Sequence, residues 1–201
     1  MRTRSTLLAA GTLATALFLA GCTGTSMEGM DGMNGNEPST GMSAEATDVD
    51  FNDADATFAM EMIMHHQQAI EMSDVLLAKN DVAPEVISLA ERIKAAQQPE
   101  IDTMNDWLAS WGRETMGSMG SMDSMGGMMS EEDMTALEDA SGPEASSLFL
   151  EQMIVHHEGA IEMAQAQVTD GQNPDAVELA QKIIDDQTAE IAEMEQLLTQ
   201  L

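Results

Sequence analysis

The sequence predicts an all-α protein, a four-helix bundle made of two repeated helical hairpins. Three observations carry this. The stretch FAMEMIMHHQQAIEM from Phe58 is copied as FLEQMIVHHEGAIEM from Phe149, and APEVISLAERIKAAQQPEIDTMNDWL from Ala83 is copied as NPDAVELAQKIIDDQTAEIAEMEQLL from Asn173. Within each copy the seam positions recur at alternating steps of four and three, which lays them along one face of a helix. Turn and cap residues stand between the paired segments.

The chain opens with Arg2 and Arg4 ahead of a short apolar run, Leu7 to Ala20. Such a run is too short for a comfortable membrane span and reads as an export signal over residues 1–22. It ends Leu19-Ala20-Gly21-Cys22, and Cys22 is the only cysteine. That ending resembles a bacterial lipobox, which implies cleavage before Cys22 and a lipid anchor on the outer side of the cytoplasmic membrane, at the cell surface or in the periplasm. An ordinary signal peptide is the plainer reading. Residues 23–50 form a Met/Gly-rich tether without periodicity, expected to be disordered.

The folded domain is expected over residues 51–201. Phe58, Met62, His65, Ala69, Met72 and Leu76 mark the seam of the first helix. Val86, Ala90, Ile93, Gln97, Glu100, Met104 and Trp107 mark that of the second. Pro84 suits a first helical turn, where a missing N–H costs nothing. A Met/Gly/Ser-rich linker follows at about residues 112–140 and contains MGSMGSMDSMGGMM, with methionines at Met116, Met119, Met122, Met125, Met128 and Met129. Its glycines argue against a stable helix, except for a short one over Glu131 to Ala140. The second hairpin repeats the stripe at Phe149, Met153, His156, Ala160 and Met163, then at Ala176, Ala180, Ile183, Gln187, Glu190, Met194 and Leu197. Gly171 reads as a helix stop and Asn173 as the cap before Pro174.

Composition narrows the partners. After Cys22 there are five basic residues against all 36 acids. Such a surface repels nucleic acid and anionic headgroups and attracts cations. Any membrane contact is therefore expected through a lipid anchor alone. A protein partner is not legible. Sulfur is present as 20 methionines rather than as cysteine pairs, which suits an oxidising compartment.

The seam is not wholly apolar. Matching levels across each hairpin places His65 opposite Gln97 and Glu100, and His156 opposite Gln187 and Glu190, with Met62, Met104, Met153 and Met194 at the edges. His66 and His157 point about 100° further round the helix, toward a second nitrogen position or toward solvent. Polar groups buried unpaired would cost about 1–3 kcal/mol each. The layer therefore bonds internally to set helix register, bonds to water or holds an ion.

The HHxxAIEM block, followed one helix later by Q-x-x-E-I-x-x-M, resembles the domain-of-unknown-function family 305 (DUF 305) in both copies, over roughly residues 50–201. The resemblance implies a ferritin-like four-helix bundle, usually exported, with copper binding or tolerance in some members. The motif positions carried over are Met62, His65, His66, Met72, Gln97, Glu100 and Met104, then Met153, His156, His157, Met163, Gln187, Glu190 and Met194. None is implied to be catalytic.

Cu(I) is soft and takes thioether and imidazole ligands, and thioethers need no deprotonation. Copper(I) binding or tolerance is thus the expected function, with the Met116–Met129 tract as a weaker collector. A non-metal structural or interaction bundle, or a methionine-based oxidant scavenger, stands as the alternative. Di-iron oxidase chemistry wants Glu-x-x-His on paired helices. Met62 and Met153 occupy the glutamate positions, so no enzyme activity is expected.

Overall fold

Asn52 starts the first helix by a reciprocal cap: its side chain accepts from the Asp55 N–H, and the Asp55 carboxylate accepts from its own N–H. The computed structural model describes residues 51–113 and 126–201. The expectations for residues 1–22 and 23–50, Cys22 included, and for Met116, Met119, Met122 and Met125 lie outside the described residues. Among the described residues there are five helices and no strand: α1 (Asp53–Leu77), α2 (Pro84–Ser110), α3 (Glu131–Asp139), α4 (Gly142–Asp170) and α5 (Pro174–Leu198). No helix among them is long and apolar enough to cross a membrane.

Local chemistry accounts for the boundaries. Pro84 and Pro174 sit in first turns, and the Asn173 side chain accepts from the Ala176 N–H. Ser130 and Asp133 cap α3 reciprocally, so the short helix expected in the linker forms. Gly171 does follow α4, but at φ −70° it does not use the left-handed conformation expected of a glycine stop. Space is what requires glycine there. A Cβ at Gly171 would come within 2.3 Å of the Gln167 amide nitrogen.

Helices α1 and α2 pack as one hairpin, and α4 and α5 as another. The hairpins meet chiefly through α1 and α4, while α2 and α5 barely touch. Helix α3 lies against both α1 and α4. The helix starts tie the hairpins together. Buried Asp55 of α1 accepts from the backbone N–H groups of Gln172 and Asn173, both at 3.1 Å, in the α4–α5 turn. Ser146 is its counterpart in α4. Its hydroxyl accepts from the Ala83 N–H in the α1–α2 turn at 3.1 Å.

The core falls into two apolar clusters. One contains Phe58, Met62, Met104, Leu108, Ala160 and Ile183, and the other Met72, Leu76, Leu89, Phe149, Met153 and Met194. Each of the four long helices passes from one cluster to the other, and the residues at the crossing are polar: His65 and His66, Gln97 and Glu100, His156 and His157, Gln187 and Glu190.

Candidate metal centre

Antiparallel packing of α1 against α4 brings the two HH blocks to one level. His65 and His156 meet face to face, with ring centroids 3.7 Å apart and planes inclined by 43°. His66 turns toward α2, and its Nε2 lies 2.8 Å from Glu100 Oε2. His157 turns toward α5, with Nε2 2.7 Å from Glu190 Oε2. All four imidazoles are buried. The expected partnering of His65 and His156 with the glutamates is thus corrected to the second histidine of each pair, and none of the four faces solvent. The rotation per residue explains this. The position aimed at the other hairpin, His65 or His156, cannot also face its own hairpin partner, and the residue 100° round does.

Burial governs the electrostatics. It pushes His65 down to about 3, with His66 and His157 adding to the effect; the Gly126 backbone opposes this from nearby but outside hydrogen-bond geometry. His156 is also lowered, first by burial and then by His65 and its neighbours. His66 is lowered by burial too, although its bond to Glu100 opposes this. Burial alone would raise the Glu100 carboxyl, but hydrogen bonds from His66 and Lys182 hold it below its usual value. Lys182 reaches Glu100 at 2.9 Å and Asp186 at 2.7 Å. A neutral imidazole beside an ionised carboxylate must carry its proton on Nε2, because the carboxylate can only accept. Nδ1 of His66 then holds a free lone pair.

The layer contains more polar atoms than bonds. Among the described residues, both ring nitrogens of His65 and His156, Nδ1 of His66 and His157, both amide atoms of Gln97 and Oε1 of Gln187 are buried without a hydrogen-bond partner. Such atoms fit the edge of a metal site and are costly as plain core. No three His, Cys, Asp or Glu groups among the described residues converge on one metal position, so no more than two imidazoles can share an ion here. The available donors are imidazoles and thioethers. Met62 and Met153 each stand one turn from the facing histidines, and Met104 and Met194 one turn from the glutamates; all four are fully buried.

Met72 and Met163 do not join the layer. Each is seven residues along its helix from the facing histidine, roughly 10 Å by helical rise. Met72 packs in one apolar cluster and Met163 against the other. Two features of the site were missed from sequence. The first is a solvent cleft between α2 and α5, lined by Gln97, Glu100, Asp186, Gln187 and Glu190, which opens onto the layer. The second is the docking of residues 126–129 beside the facing histidines. The Gln68 side chain donates to the Met129 carbonyl at 2.8 Å and accepts from the Met129 N–H at 2.7 Å. Gly159, at the equivalent position of the second copy, leaves room for the Gly126–Gly127 backbone; a Cβ there would meet the Gly126 carbonyl at 2.1 Å. The replacement of Gln68 by Gly159 between copies was the available signal.

The family described as "Domain of unknown function (DUF305)" matches residues 55–198. The "putative secreted protein DUF305" from Streptomyces coelicolor superposes with TM-score 0.69 at 33% identity, over 73% of this chain and 93% of its own. A DUF305 fragment from Deinococcus radiodurans gives TM-score 0.69 at 30% identity, over 75% and 98%. CopM, solved in Cu(I)-bound, Cu(II)-bound, Ag-bound and apo forms, is also similar. Its Cu(I)-bound form gives TM-score 0.63 at 32% identity, over 73% and 96%. No curated protein matches. By its profile match, by its identity to these proteins and by the fold it shares with them, this chain belongs to the DUF305 family.

Proposed function

We propose that this protein binds a soft monovalent metal ion, Cu(I) foremost, in the buried histidine layer, and that it acts in copper binding or tolerance rather than in catalysis. The observation that carries the reading is the facing pair His65 and His156. Two neutral imidazoles 3.7 Å apart, with no hydrogen-bond partner among the described residues, are poor core and good ligands. Cu(I) and Ag(I) accept few ligands and favour imidazole and thioether donors, which is what this layer offers. Similarity to CopM, solved with copper and with silver, supports the same reading.

In this reading His65 and His156 are ligands, with thioethers from Met62 and Met153, and His66 and His157 brace the layer through their bonds to the glutamates. Glu100 and Glu190 are positioning residues that hold those rings in place. Gln97 and Gln187 line the approach from the α2–α5 cleft. The hairpins then form one ferritin-like four-helix bundle around a central site. Export and lipid anchoring at Cys22 would place it outside the cytoplasm, where the sequence expects it.

The test is Cu(I) competition against a chromogenic chelator. Replacing both facing histidines, His65→Leu with His156→Leu, is expected to remove the tightest Cu(I) equivalent while leaving the helical content unchanged. A double variant that folds and retains that equivalent would reject the histidine pair as the site. Turnover of ferrous iron by the wild type would instead favour an oxidase.

A further inference from the structure

The groove between α1, α3 and the docked segment 126–129 holds a second set of soft donors. Met128, Met129 and Met134 line it together with Glu71 and Gln68. Met129 and Met134 also pack against the adjoining apolar cluster, so burial accounts for part of their surface. It does not account for Met128, which belongs to neither cluster. The segment that presents these sulfurs is held in place. Gln68 grips Met129 by two hydrogen bonds, at 2.8 and 2.7 Å. Gly127 adopts φ +81° beside Gly159, where neither position has space for a side chain. Ser130 then caps α3 and fixes the start of the helix that carries Met134.

We propose that Met128, Met129 and Met134 form a separate thioether site for a soft monovalent cation, Ag(I) or Cu(I), at the protein surface. Three thioethers suit such an ion and disfavour hard cations, while Glu71 offsets its charge. Docking supplies the order that a free methionine tract would lose entropy to reach. Gln68 lies one helical turn from His65, so the groove adjoins the buried layer. The proposal does not depend on the histidine layer, because the ligands are different residues.

Titrating the protein, labelled with ¹³C at its methionine methyl groups, with Ag(I) tests both sites at once. The methyl signals of Met128, Met129 and Met134, assigned from single Met→Leu variants, are expected to shift together in one step that saturates at one Ag(I) per chain. Met62 and Met153 report the histidine layer in the same spectra, so failure of either site is seen separately. Gln68→Leu, which removes no sulfur, is expected to weaken the groove step at least tenfold. Three methyl groups that shift at unrelated Ag(I) ratios, or only where free methionine shifts, would overturn the site. A Gln68→Leu variant with an unchanged groove step would overturn the role of docking.

Discussion

His65 and His156 oppose stability, and under the proposed function they serve binding. Each buries two ring nitrogens without a partner among the described residues, at a cost of about 1–3 kcal/mol per group. The metal-free variant carrying His65→Leu and His156→Leu is therefore expected to be more stable than the wild type at neutral pH, by about 1–3 kcal/mol per site, although it loses Cu(I). The same burial sets a pH dependence. The unfolded chain protonates His65 near its ordinary 6.5, whereas the folded chain holds it neutral down to about 3. The unfolded state thus binds more protons across that window, and stability falls as pH falls from about 6.5 toward 3. Each such histidine contributes a slope of about 1.4 kcal/mol per pH unit. Glu100, held below its ordinary 4.5, adds a further loss in more acidic solution. Urea midpoints between pH 6.5 and 5 should decline clearly in the wild type and less in the double variant. Parallel slopes would mean that the unfolded chain gains no extra proton at these sites.

Helix starts, rather than helix faces alone, join the two hairpins. Asp55 on α1 and Ser146 on α4 occupy equivalent positions, and each satisfies backbone N–H groups in the turn of the opposite hairpin. Asp55 does more, because it also accepts from the Gln167 amide at 2.6 Å. Asp55→Ala would strand several buried donors and is expected to cost about 3 kcal/mol, against about 1 kcal/mol for Ser146→Ala. Chemical denaturation of the two variants checks the order, and a larger loss at Ser146 would contradict it. These elements were legible in sequence to different degrees. The seam stripe, Pro84, Pro174 and the Asn173 cap announce helices through local rules. The cross-ties do not, because their partners lie more than sixty residues away and no local pattern encodes them.

At the scale of the folded domain, among the described residues, two apolar clusters enclose one polar layer. A ligand bound only to the folded chain stabilises it by mass action, by about 2.7 kcal/mol at a hundred times its Kd. Ag(I) is therefore expected to raise the melting temperature of the wild type. The rise should be much smaller in the variant lacking His65 and His156, whose metal-free melting temperature is itself higher. Calorimetry with and without Ag(I) separates these effects. An equal rise in both proteins would place the stabilising ion elsewhere, with the groove methionines as the next candidates.

By itself the sequence determined the helical class, the pairing of segments into hairpins and the family, because periodicity, caps and a doubled HHxxAIEM block are local properties. It also pointed to a polar level in each hairpin, since positions equally far in sequence from a short turn lie opposite one another. Only the tertiary structure decided which histidine of each pair faces which neighbour. One residue turns a side chain by about 100°, while level matching along a hairpin is good to about one residue. The packing of α1 on α4 therefore decided that His65 meets His156 and that the glutamates take His66 and His157. It likewise decided that Gln68 and Gly159 receive the end of the methionine tract, a contact that depends on a chain crossing both helices.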